Sequence, residues 1–150
     1  MANWCMNYLR VTGPVEDVAR FQQQAATPPR RQGRITDEPP EAFSFERLVP
    51  LPAKRRTTAN DTEGGDSPKE AWGCRSDAFH SELVEAWPGG VSYRFVTPWN
   101  PPTRFFQRVS ECWPSLIFVL DYEEPRVAFR GLAHATNGVV QSLHLDLATP

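Results

Sequence analysis

What this 150-residue sequence lacks narrows its class first. No stretch approaches the ~20 consecutive apolar residues of a membrane span, so no membrane partner is expected. The opening MANWCMNYLR has neither the basic start nor the apolar centre of a secretory leader, which predicts a cytoplasmic chain. Cysteine is scarce. Cys5, Cys74 and Cys112 are widely spaced and odd in number, a pattern of reduced thiols rather than of a disulfide framework. Neither sign of charge dominates: 16 Lys and Arg face 18 Asp and Glu, and a net charge of −2 gives no long-range pull toward phosphate backbones. The GxSxG, GxxxxGK[ST], HExxH and GxGxxG patterns are all missing, and no cofactor or metal is expected.

What is present suffices for a core. Hydrophobic residues make up 40% of the chain, with five Trp and nine Phe among them. A chain of this size forms one domain and buries roughly 70% of the surface its unfolded form exposes.

Cys5 to Thr12 reads as a strand that ends at Gly13-Pro14, where proline suits the first turn of a helix. Val15, Val18, Phe21 and Ala25 then fall on one helical stripe until Pro28-Pro29. Between Thr27 and Glu70, seven prolines and a balanced mixture of charges predict a loop-rich insertion, mobile over 53–70. Within it, Phe43 to Leu51 reads as a short edge strand. Trp72 to Ala78 reads as a short extended piece, and Ser81 to Trp87 as a short helix.

Val91, Tyr93 and Phe95 alternate as in a strand, and Phe105, Phe106, Val109 and Trp113 form a second helical stripe after Asn100-Pro101-Pro102. Ser115 to Tyr122 contains LIFVL, apolar on both faces as in a central strand. Val127 to Ala135 and Val139 to Leu147 form a hairpin around Asn137-Gly138. A three-residue bulged loop is the favoured register, because it gathers Val127, Phe129, Leu143, Leu145 and Leu147 on one face. These elements predict an α+β, ferredoxin-like split βαβ core, with two helices on one face of an antiparallel sheet and a C-terminal hairpin.

Six ordered stations also carry a resemblance: Met1-Ala2-Asn3-Trp4-Cys5-x-Asn7; Val11-Thr12-Gly13-Pro14; Leu48-Val49-Pro50-x-Pro52; Trp72-Gly73-x-Arg75-x-Asp77-Ala78; Thr97-Pro98-Trp99-Asn100-Pro101-Pro102; and the Phe118 to Glu124 strand end with Phe129-Arg130-Gly131. They make the chain resemble the YubB-like, or Api-like, family of plasmid, phage and genomic-island proteins. That resemblance implies a ferredoxin-like fold and a mobile-element origin, and no established activity. Cys74, Arg75 and Ser76 stand where the family pattern has Thr, Lys and an aromatic.

Six residues are candidates for binding: Trp72, Arg75, Asp77, Trp99, Glu123 and Glu124. Trp72, a flexible glycine and the Arg75/Asp77 pair offer a recognition surface; the alternative is that Trp72 fills core while Arg75 and Asp77 pair locally. Trp99, among prolines, is either an outward anchor or a cap over the following helix. Glu123 and Glu124 offer paired carboxylates or a solvated strand end. Cys74, Asp77 and His80 match no strong metal spacing. His144 and Asp146 read as a solvated cluster opposite Arg130. Tyr93 and Phe95 would stack bases if they faced outward.

The leading expectation is therefore a non-catalytic module that binds a host protein or nucleoprotein complex and acts in counter-defence, in the manner of an anti-CRISPR. The alternatives are a single-stranded nucleic-acid binder and a small enzyme built on Asp77 or Glu124 with Cys74 or His80. A homodimer through the open sheet face fits the same fold, and direct nucleic-acid binding is disfavoured by charge.

Overall fold

The computed structural model describes residues 3–27, 41–51 and 67–147. In chain order these form β1 (Trp4–Thr12), α1 (Val15–Ala25), α2 (Phe45–Leu48), α3 (Pro68–Trp72), β2 (Phe79–Trp87), β3 (Gly90–Pro98), α4 (Thr103–Cys112), β4 (Ile117–Glu124), β5 (Phe129–Thr136) and β6 (Val139–Asp146). The strands make one antiparallel sheet in the order β2-β3-β1-β4-β5-β6. Its first four strands, with α1 and α4, are the expected ferredoxin-like core, and β5-β6 extends the sheet beyond β4.

Alternation in β1 sets the two faces. Cys5, Asn7, Leu9 and Val11 are buried beneath the helices, while Trp4, Met6 and Arg10 are exposed on the other side. The register carries that division across the sheet. Tyr93 and Phe95 of β3 and Phe118 and Leu120 of β4 lie on the helix side with Leu9 and Asn7. Val18 and Phe21 of α1 and Phe105, Phe106 and Val109 of α4 close the same core, so both amphipathic stripes pack on one side as predicted.

Three local expectations are corrected. Phe43 to Leu51 is not an edge strand: Ser44 accepts from the Arg47 N–H and caps the single-turn α2. Phe43 stacks on Phe95 with centroids 5.0 Å apart, and Phe45 on Phe105 at 4.3 Å. Burying each ring stabilises the fold by about 1.5–3 kcal/mol, which is more than an isolated edge strand could gain there.

The segment Trp72–Ala78 is not extended, since Trp72 ends α3. Ser67 and Glu70 form a reciprocal capping box, an S-x-x-E signal visible in the sequence, and Gly73 closes α3 at φ 84°.

Residues 81–87 are strand, not helix. Two irregularities in the β2–β3 register break the two-residue rhythm that marks a strand. The 53–66 part of the expected mobile loop lies outside the described residues.

The hairpin register is also corrected. Thr136 pairs with Val139 around a two-residue turn, with Asn137 at φ 47° and Gly138 at φ 81°. Leu143 therefore faces Leu132, and Leu145 faces Arg130. Gly131, Ala133 and Ala135 take the helix side, where only small residues fit beneath Tyr122 and α4. The leucines go to the open face.

Candidate functional site: the open sheet face

No described element covers the face opposite the helices. One corner of it carries Trp4, Met6 and Phe79, exposed to roughly half their surface, beside Val96. Trp4 and Phe79 meet edge to face with centroids 5.6 Å apart. The other end carries Leu132, Leu143 and Leu145 from the hairpin, also exposed. Charged residues are spread over the rest of the face: Glu82 opposite Arg94 and Arg10 over the Trp87 ring at 6.0 Å on the strands of the aromatic corner, and Asp121 with Arg130 at 3.4 Å between that corner and the leucines. Glu85 and Glu123 complete the set. Arg10, Arg94 and Arg130 against Glu82, Glu85, Asp121 and Glu123 leave the face one charge negative.

Of the six candidate residues, two belong to this end of the molecule. Glu123 lies on the open face, opposite Met6 and Arg130. Trp99 follows the Trp4–Pro98 pair at the aromatic corner. It is 39% exposed, its N–H donates to the Asn3 carbonyl at 2.7 Å, and its φ of 67° is a left-handed conformation that an aromatic residue rarely takes. Asn7 supports this corner from beneath by donating to Thr97 Oγ1 at 3.0 Å, and Thr97 donates to the Asn100 carbonyl at 2.7 Å.

The other four are elsewhere. Trp72 is core, 3% exposed, and its Nε1 donates to the Val49 carbonyl at 2.9 Å. Asp77 is a structural cap: its carboxylate accepts from Ser44 Oγ at 2.7 Å and from the N–H groups of Phe45, Glu46 and Ala78. Arg75 is exposed and makes no ion pair with Asp77. Glu124 is fully buried on the helix side, where Oε2 accepts from the Val127 N–H and Oε1 has no partner among the described residues.

Of the enzyme candidates, Cys74 and Glu124 are buried, Asp77 is engaged in capping α2, and His80 is exposed. Cys74 is buried, burial pushes its thiol up to about 12, and it donates to the Ser76 carbonyl. Burial likewise raises Cys5 to about 12. No group of three or more potential metal ligands occurs among the described residues. Tyr93 and Phe95 face the core and cannot stack bases. His144 pairs with Gly131 rather than Arg130 and lies on the helix side. The exposed leucines at 132, 143 and 145 were missed as a site because the alternative register placed two of them inward.

A family model described as the ferredoxin-like domain in Api92-like protein matches residues 70–147. Among solved structures, the chain is similar to the crystal structure of a protein api92 from Yersinia pseudotuberculosis. The TM-score is 0.68 at 10% identity, over the full length of both chains. No curated protein matches the sequence.

Proposed function

The chain belongs to the family of ferredoxin-like domains in Api92-like proteins, and from that fold we propose that it acts as a non-catalytic module that binds a protein partner through its open sheet face. The observation that carries this reading is the pair of exposed apolar clusters, Trp4/Met6/Phe79 and Leu132/Leu143/Leu145, toward opposite ends of a sheet face that no described element covers. Monomeric surfaces rarely carry large apolar areas without a partner. Strands spaced about 4.8 Å apart and rising about 3.3 Å per residue give the six-stranded face an area of roughly 750 Å². A standard protein interface takes about 800 Å² from each partner.

Charge sets the class of that partner. A nucleic-acid surface needs a surplus of Lys and Arg, whereas this face is one charge negative with its two signs interleaved. That pattern fits a protein surface that pairs apolar patches with charges of both signs. Trp99, held in a strained backbone at the aromatic corner, adds a rigid anchor of the kind that concentrates at binding sites.

The YubB-like affiliation, a mobile-element origin, and a counter-defence role on a host complex in the cytoplasm are part of the same proposal. They are supported by the six sequence stations rather than by site geometry. No helix among the described residues is long and apolar enough to cross a membrane.

The test is affinity capture from host extract, with and without nuclease, using the native chain, a Met6→Glu/Leu143→Glu variant, and Glu16→Lys on α1 as a control. A stoichiometric protein retained in both nuclease arms and by the control, and lost with the face variant, supports the reading. Capture abolished by nuclease, or indifferent to the face variant, sinks it. Sedimentation of the purified chain shows whether that occupant is a second copy.

A further inference from the structure

We infer that the helix side of the sheet holds a separate binding site for a small carboxylate bearing one ring or short chain and a hydroxyl or amino group. The hairpin extends the sheet beyond the helix layer and leaves a cleft of about 220 Å³ between α4 and the β4–β6 floor. One end is pinned, since the Gly138 N–H donates to Ser110 Oγ at 2.9 Å, tying the hairpin turn to α4. At about 30 Å³ per water, the cleft holds roughly seven waters. That is below the ~300 Å³ at which drug-sized sites begin, and it suits a ligand of about one ring with its substituents.

The lining specifies the chemistry. Phe106, Leu120 and Val140 supply an apolar body, and Arg104 is the one charged side chain lining the cleft among the described residues. A guanidinium on an apolar wall selects a carboxylate in bidentate geometry.

Thr103, Gln107, Ser142 and Tyr122 supply the other polar points. Tyr122 is 5% exposed, and its ring lies over Gly131 so closely that a Cβ there would come within 2.0 Å of Tyr122 Cζ. Its hydroxyl is 2.9 Å from His144 Nδ1, and His144 Nε2 is 3.4 Å from Asp146 Oδ1. Tyr122 Oη and His144 Nδ1 share one hydrogen bond, whichever of the two carries its proton. With that bond made, the Tyr122 hydroxyl keeps capacity for one further hydrogen bond. It therefore favours a ligand that carries, besides its carboxylate, a hydroxyl or amino group able to make that bond.

A nitrogen-15 NMR titration of the full chain with 4-hydroxybenzoate and with benzoate tests this. Both probes are expected to shift the signals of Arg104, Tyr122 and Ser142, with 4-hydroxybenzoate bound roughly three- to tenfold tighter. Arg104→Met weakens both probes about tenfold or more, and Tyr122→Phe, which keeps the ring, removes the difference between them. Unchanged signals from β1 and β3 verify that each variant remains folded. The site is refuted if neither probe shifts these signals at about millimolar concentration, if Arg104→Met leaves both affinities unchanged, or if the hydroxyl makes no difference that Tyr122→Phe removes.

Discussion

Asp77 and Phe45 are 32 residues apart in sequence, yet the Asp77 carboxylate accepts the Phe45 N–H at 2.6 Å. That bond and its neighbours, from Ser44 Oγ and from the Glu46 and Ala78 N–H groups, hold the inserted aromatic segment in the core. Asp77→Ala leaves the Phe45 and Glu46 N–H groups at the start of α2 without their acceptor and is expected to cost about 2–3 kcal/mol. Urea denaturation measures it, and a loss below about 0.5 kcal/mol would show that the carboxylate is not the clasp.

The thiols should separate sharply. Cys112 is exposed and reacts promptly with a thiol reagent at pH 8, whereas Cys5 and Cys74, both buried and both pushed up to about 12, react only on unfolding. The same shifts give stability a sign with pH. Below the unfolded thiol value of about 9 both states keep their protons and nothing changes; between there and about 12 the unfolded chain alone ionises. Stability then falls as pH rises, by about 1.4 kcal/mol per pH unit for each thiol. Stability curves of the native chain and a Cys5→Ala/Cys74→Ala variant between pH 8 and about 9.5, below the range in which the buried Tyr93 and Tyr122 add the same sign, check the slope, which the variant should lack there.

Gly131 is required by a neighbour rather than by its own backbone. A methyl there strikes the Tyr122 ring, so Gly131→Ala is expected to cost about 1–3 kcal/mol. Most of that cost should vanish in a Tyr122→Ala background. A double-mutant cycle showing simple additivity would mean that the two residues do not collide.

Two tryptophans should behave in opposite ways. Trp72→Ala removes a buried, hydrogen-bonded indole and is expected to cost about 3–5 kcal/mol. Trp99→Gly gives up partial packing but relieves a left-handed backbone whose cost is about 1–2 kcal/mol, so its net effect should stay within about 1 kcal/mol. Partner retention should follow the reverse order, with Trp99→Gly losing the captured protein while remaining folded. Thermal melts run beside the capture experiment decide this.

Periodicity alone reached both long helices, β1, β3, β4 and the hairpin, because each answers to local rules: a stripe at three and four residues, an alternation at two, a proline or glycine at the boundary. Those elements supply both helices and three of the four strands of the ferredoxin-like core. The same rules failed at β2, whose bulges interrupt the two-residue alternation, and in the insertion, where Phe43 and Phe45 pack into the core.

The candidate site divides in the same way. Trp99 and Glu123 were legible as surface residues at strand ends. The roles of Asp77 and Glu124 were not, because a carboxylate's partners are set by which distant backbone N–H groups the fold brings to it. The central strand shows the same dependence: β1 lies outside the 70–147 segment matched by the family model, yet it joins β3 to β4. Sequence determined which residues are apolar and at what interval. Only the tertiary structure decided which face of the sheet they occupy, because a strand's alternation leaves inside and outside interchangeable until the register with its neighbours is fixed.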